Sequence, residues 1–181
     1  MTPLNIRVLA LDLSLTSTGW CWQDDTGELI AGTITPKTVG TERLAHIRDR
    51  VLDLETESGC GLVAIEGYAY ARPNQAHQIG ELGGVIRTAL HDAGIEWVTV
   101  APSSIKQYAT SKGNANKDLV RDAARDVFGL AAGVSSDVCD AVWLWALTRH
   151  ALGFPEVARN GRQRAAIVSV GESLGVCHEV A

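Results

Sequence analysis

The chain has 181 residues, 46% of them hydrophobic and 20% charged, and its 16 Lys and Arg against 21 Asp and Glu leave a formal net charge of −5. That length suits one domain with a full core and is short for two, and the composition is that of an ordinary globular protein. No apolar run approaches the roughly 18 residues of a membrane span, and the N-terminus lacks the basic region and small-residue cleavage site of a secretion signal, so a cytoplasmic protein is expected.

Ile6 to Leu13 is nearly continuous apolar sequence, as expected of a strand covered on both faces, and it contains one acid, Asp12. Ser14 to Thr18 is a polar turn, Gly19 to Gln23 alternates, and Asp24 to Gly27 (DDTG) signals a hairpin into a third strand around Glu28 to Thr35. From Thr41 to about Glu57, Leu44, Ile47, Val51 and Leu54 recur at helical spacing. Gly61 to Glu66 reads as a fourth strand, again closing on an acid. A second helix is expected over Gln75 to Ala93, closed by Gly94, and a fifth strand over Ile95 to Val100. Pro102 can open a short helix, Ser111 to Asn116 (SKGNAN) is a loop, and Asn116 can cap a helix running to Phe128. Ser136 or Asp137 opens a last helix through about Ala151, and a tail follows from Pro155.

Three meandering strands, then helix, strand, helix, strand and further helices, predict an α/β fold. Its five-stranded mixed sheet has a three-strand antiparallel meander plus two parallel strands, flanked by helices. This is the order of an RNase H-like fold, in which the first and fourth strands are neighbours. Residues 1–154 are expected to form that domain, with 155–181 a C-terminal tail of unknown role.

Asp12 and Glu66 each end an apolar strand, where a carboxylate is rarely buried without compensation. Asp137 and Asp140 share one face of the last helix, although acids there also suit the helix dipole. Four converging acids with no Lys or Arg beside them in sequence read as a cage for hard divalent cations such as Mg²⁺ or Mn²⁺. The scattered Cys21, Cys60, Cys139 and Cys177 have no zinc-type spacing and are expected to be buried thiols. Net negative charge argues against a nucleic-acid partner. Locally the balance differs: from Ala101 to Arg125, Lys106, Lys112, Lys117, Arg121 and Arg125 face only Asp118 and Asp122.

The segments LDLSLTSTGW, VAIEGYAYAR, APSSIKQYATSKGNANK and SSDVCDAVWLWAL, in this order over Ile6 to His150, resemble the RuvC Holliday-junction resolvases. The most specific pieces are Asp137–Ala141 and Ile105–Gln107, the latter followed by a Gly–Asn loop and Lys117. The resemblance implies a homodimeric endonuclease that cuts four-way DNA junctions. It would use Mg²⁺, with Mn²⁺ as a substitute, at two ions per active site. Its catalytic and metal-binding acids map onto Asp12, Glu66, Asp137 and Asp140, and Lys106 and Lys117 match family lysines serving the DNA phosphates or the reacting one. Lys112 and Asn114 in the loop, with Tyr68, Tyr70 and Arg72 after Glu66, are further candidate DNA contacts, the tyrosines by stacking on unpaired bases. Gly80, Gly83 and Gly84 on the second helix weaken it by roughly 1 kcal/mol each, which close approach to a dimer mate or to its own sheet would offset. Trp20, Trp22, Trp143 and Trp145 are expected in the packing.

The sequence also departs from the family. Leu13–Ser14 replaces the usual Pro–Gly after the first acid, Ala69 stands where an aromatic is expected, and the tail has no counterpart. These departures point to a divergent, phage-type member, acting in the cytoplasm of a bacterium or an infected host. Three other readings remain open: a broader fork or branched-DNA nuclease of the same fold, a non-catalytic DNA-structure binder, and an actin-like or sugar-kinase ATPase with an Asp near a Thr–Gly after its first strand.

Overall fold

The computed structural model describes residues 6–67, 73–157 and 160–175, with only the backbone of 73–76. Strands β1 (Val8–Asp12), β2 (Thr18–Gln23), β3 (Leu29–Ile34), β4 (Leu62–Glu66) and β5 (Trp97–Val100) form one sheet in the order β3-β2-β1-β4-β5. The first three pair antiparallel, while β1–β4 and β4–β5 are parallel. The expected mixed sheet is present, with β1 beside β4 at its centre.

The even and odd residues of β1 explain its unbroken apolar run. Val8 and Ala10 enter one core, Leu9 and Leu11 the other, so neither face meets water. On the Leu9 and Leu11 side pack α1 (Gly40–Ser58) and α2 (Pro73–Asp92), through Ile47, Val51, Leu54, Leu82, Ile86 and Leu90. Gly59 and Gly94 follow these helices with φ of 57° and 70°, the left-handed conformation that glycine adopts without a side-chain clash.

The other face holds α5 (Ser136–Ala151), which packs on β1 and β2 and is buried from Val138 through Thr148 apart from Asp140. A helix apolar on every side needs cover on every side. That cover comes from α3 (Pro102–Thr110), α4 (Lys117–Phe128) and α6 (Gly161–Ser173). Trp143 and Trp145 are fully buried here, and the Trp143 Nε1–H donates to the Val120 carbonyl at 3.0 Å. On β2 the Trp20 and Trp22 rings stack with centroids 4.9 Å apart.

The segment beyond Pro155 was expected as a tail and instead contributes a helix to the main core. Ala166, Ile167 and Val170 of α6 join the same cluster as α5, and buried Gln163 donates to the Tyr108 carbonyl at 2.7 Å. Asn160 and Gln163 form a capping box at its start, with Asn160 N–H donating to Gln163 Oε1 at 3.0 Å. The Asn-x-x-Gln spacing is the sequence signature of such a helix start. Cys21, Cys60 and Cys139 are free and buried, as expected, while Cys177 lies outside the described residues. Among the described residues no helix is long and apolar enough to cross a membrane.

Candidate metal centre

Strand order brings the first two acids together. β1 and β4 run parallel with Leu11 opposite Ile65, so Asp12 and Glu66 emerge side by side at the same sheet end. Asp140 reaches them from α5, whose start is fixed by the Ser135 hydroxyl accepting from Val138 N–H at 3.3 Å. Carboxylate oxygens of Asp12, Glu66 and Asp140 all lie within 4.8 Å of one another. Asp137, one turn earlier, stands outside this set yet acts electrostatically on both Asp12 and Asp140.

A glycine makes this approach possible. Gly19 on β2 pairs with Asp12 across the antiparallel ladder. A β-carbon there would lie 2.1 Å from the Asp137 carbonyl oxygen, inside the backbone of α5. The helix carrying two acids therefore rests directly on the strand beside the third. Gly19 is not among the residues expected from the sequence to serve the site, although a glycine within a strand is the usual mark of a close backbone approach. The turn between β1 and β2 is equally ordered: buried Thr18 donates through Oγ1 to the Ser14 carbonyl at 2.7 Å and accepts from Ser14 N–H at 3.0 Å.

The three acids repel one another in a poorly solvated place. Burial, then Glu66 and Asp140, hold the Asp12 carboxyl well above the usual range. Burial first and Asp140 second push Glu66 up to about 7, and burial likewise raises Asp140 to about 6. Lys117 and Lys106 oppose both shifts without cancelling them. An all-oxygen cluster with excess negative charge fits a hard divalent cation, which would remove the repulsion that burial amplifies.

Lys106 is half-buried on α3, directly after the β5 end that faces Glu66, and Lys117 is the first residue of α4. The expected cap is present, with Asn116 Oδ1 accepting from Leu119 N–H at 2.9 Å. Lys112 and Asn114 are exposed on the loop between these helices. The basic excess expected from Ala101 to Arg125 narrows to the three lysines. Arg121 pairs with Asp118 at 2.9 Å, and Arg125 pairs with Asp122 at 3.6 Å and donates to the Val134 carbonyl at 3.2 Å. Tyr68, Tyr70 and Arg72 lie outside the described residues.

The family model for "Crossover junction endodeoxyribonuclease RuvC" matches residues 8–149, which span the whole sheet and all four acids. The chain belongs to the RuvC family. The RuvC of Xanthobacter autotrophicus is 29% identical over 161 residues, covering 85% of this chain and 95% of that protein. The Thermus thermophilus RuvC structure superimposes with a TM-score of 0.65 at 25% identity, covering 82% of this chain and 98% of that one. A second structure of the Thermus protein, in complex with a Holliday junction substrate, has the same fold, with a TM-score of 0.65 at 22% identity.

Proposed function

We propose that this RuvC-family protein is a metal-dependent endonuclease that resolves four-way DNA junctions by hydrolysing one phosphodiester in each of two symmetric strands. The observation that carries this reading is the meeting of Asp12, Glu66 and Asp140 oxygens within 4.8 Å, flanked by Lys106 and Lys117, on a RuvC-family sheet. Asp12, Glu66 and Asp140 would hold Mg²⁺, with Mn²⁺ able to substitute, and Asp137 would join them if two ions bind. Bound divalent ions supply an activated water and neutralise charge on the scissile phosphate. Asp12, at the centre of the sheet and under the field of all three other acids, would be the principal acid holding the divalent metal. Lys106 and Lys117 place positive charge where the phosphoryl group becomes more negative. Lys112 and Asn114 contact the DNA backbone, and Tyr68, Tyr70 and Arg72 are junction contacts on sequence grounds alone.

Two symmetric cuts need two symmetric sites, which a homodimer supplies. Support comes from α2. A β-carbon at Gly80 or Gly84 would meet none of the described residues within 4 Å, so packing inside the subunit does not require glycine at either position. A junction-cleaving protein acts where the DNA is, which for a bacterial or phage protein is the cytoplasm.

The deciding experiment is cleavage of a labelled four-way junction beside a fork, a duplex and an RNA–DNA hybrid, in Mg²⁺ or EDTA, with wild type and Asp140→Asn. Paired symmetric nicks in the junction, absent in EDTA and in the variant, are expected. Equal cutting of the fork would replace this reading with a broader debranching nuclease. Binding without cutting in any divalent metal would make it a structure-specific binder.

A further inference from the structure

Two acid-free stretches, distant in sequence, lie together in the fold. Pro102 to Lys117 contains Lys106, Lys112 and Lys117 and no Asp or Glu, and Asn160 to Gly171 contains Arg162 and Arg164 and no Asp or Glu. Three hydrogen bonds join them. Gln107 Nε2 donates to the Arg162 carbonyl at 2.5 Å, Asn160 Nδ2 donates to Ser111 Oγ at 3.1 Å, and Gln163 Nε2 donates to the Tyr108 carbonyl at 2.7 Å. Two of these anchors adjoin a lysine: Gln107 follows Lys106, and Ser111 precedes Lys112. Ser111 is the one non-glycine residue with a positive φ, 65°, among the described residues, so the Asn160 contact sits where the chain leaves α3 in a constrained conformation. Arg162 and Arg164 are exposed, as are Lys112 and Lys117.

We propose that the start of α6 extends the DNA-binding face, with Arg162 taking a backbone phosphate of a duplex arm that runs from the metal centre over Lys106 and Lys112. The inference rests on the junction-endonuclease reading above. Charge selects the partner: on a molecule of net charge −5, Lys112 and Arg162 come from two hydrogen-bonded segments whose own sequences contain no acid. Geometry sets its direction. α3 starts at the sheet end beside Glu66 and runs nine residues, roughly 13 Å of helix, to the contact with Asn160. Arg162 therefore marks the outer end of a basic strip whose inner end is Lys106. Because hydrogen bonds hold its backbone in place, little chain order has to be gained on binding. The family model's match ends at residue 149, before this helix.

The test is fluorescence anisotropy of a labelled four-way junction in EDTA, from about 50 to 200 mM salt, for wild type, Arg162→Gln, Arg162→Lys and Arg48→Gln. Arg48 is half-buried on α1, paired to Asp49 at 2.7 Å, and belongs to the opposite helical layer. Arg162→Gln is expected to weaken binding severalfold at the low-salt end, with the slope of log K against log salt shallower by about 0.9, one phosphate contact. Arg162→Lys should keep the slope, and Arg48→Gln should match wild type. Wild-type affinity and slope in Arg162→Gln would overturn the proposal while junction binding still stood. An equal loss in Arg48→Gln would overturn it too, because the effect would then be overall charge. Failure of the wild type to bind the junction would instead remove the junction reading, and this extension with it.

Discussion

Asp12 sits in a poorly solvated place among like charges, which hold its carboxyl well above the usual carboxylate range, a poor choice for stability alone. The three acids therefore link function to pH. Glu66 titrates near 4.5 in the unfolded chain and at about 7 in the folded one, so the folded protein holds the extra proton between those values. Metal-free stability accordingly falls as pH rises from about 4.5 to 7, by on the order of 3 kcal/mol for this group, with Asp12 and Asp140 acting in the same direction. Thermal melting in EDTA should give a lower Tm at pH 8 than at pH 5.5. Added Mg²⁺ should restore it at pH 8 and do much less at pH 5.5, where protons compete for the same oxygens. An EDTA Tm that climbs over this range would contradict the burial of the triad. Asp12→Asn removes the least comfortable charge: it should abolish junction cleavage, leave junction binding largely intact, and raise the Tm in EDTA by a few degrees. A variant that still cuts would refute the metal assignment. At this scale the sequence was most informative about Asp12 and Glu66, because an acid closing an apolar run costs stability unless a cation meets it. It was silent on which of Asp137 and Asp140 reaches the centre, since both share a helix face and only the seating of α5 separates them.

The element that decides the site is α5 against β2, and their contact depends on Gly19. Gly19→Ala would drive a methyl into the Asp137 backbone, which has no side-chain freedom with which to yield. We expect a loss of roughly 2–4 kcal/mol in urea unfolding together with loss of cleavage, as α5 moves off the sheet and takes Asp137 and Asp140 with it. Full activity in Gly19→Ala would show that the acids do not depend on this seat. Most element boundaries were readable because local chemistry marks them: Pro102 opens α3, Asn116 caps α4, and Gly94 closes α2. α6 is hard to see in the sequence because its apolar face is short and its arginines break the pattern, which leaves the capping box as its one clear signal.

Across the whole molecule, α6 and the proposed dimer surface make separate predictions. Removing residues 155–181 would expose α3 and α5 where Ala166, Ile167 and Val170 now cover them, opening part of the core to water. The truncated protein should lose several kcal/mol of stability and show reduced near-ultraviolet circular dichroism, the tryptophans of α5 being packed in that core. An unchanged urea midpoint would mean that α6 is dispensable to the fold. On the other face, Gly80→Ala with Gly84→Ala should leave the subunit folded, because a β-carbon meets nothing within 4 Å at either position, while shifting sedimentation from dimer to monomer. A dimer that persists would place the interface elsewhere.

The sequence alone determined the succession of elements from β1 to α5, the two-sided burial of β1, the Asn116 cap and the four candidate acids, because each follows from neighbours a few residues apart or from a recurring motif. Tertiary structure decided what no local pattern contains: that Asp12, Glu66 and Asp140 meet within 4.8 Å while Asp137 stands outside, that Gly19 is the seat of α5, and that the last helix belongs to the core and lies against the lysine-bearing loop. These are contacts between segments separated by tens of residues, and their closeness is set by packing of the whole sheet and its helices rather than by the preferences of any one segment.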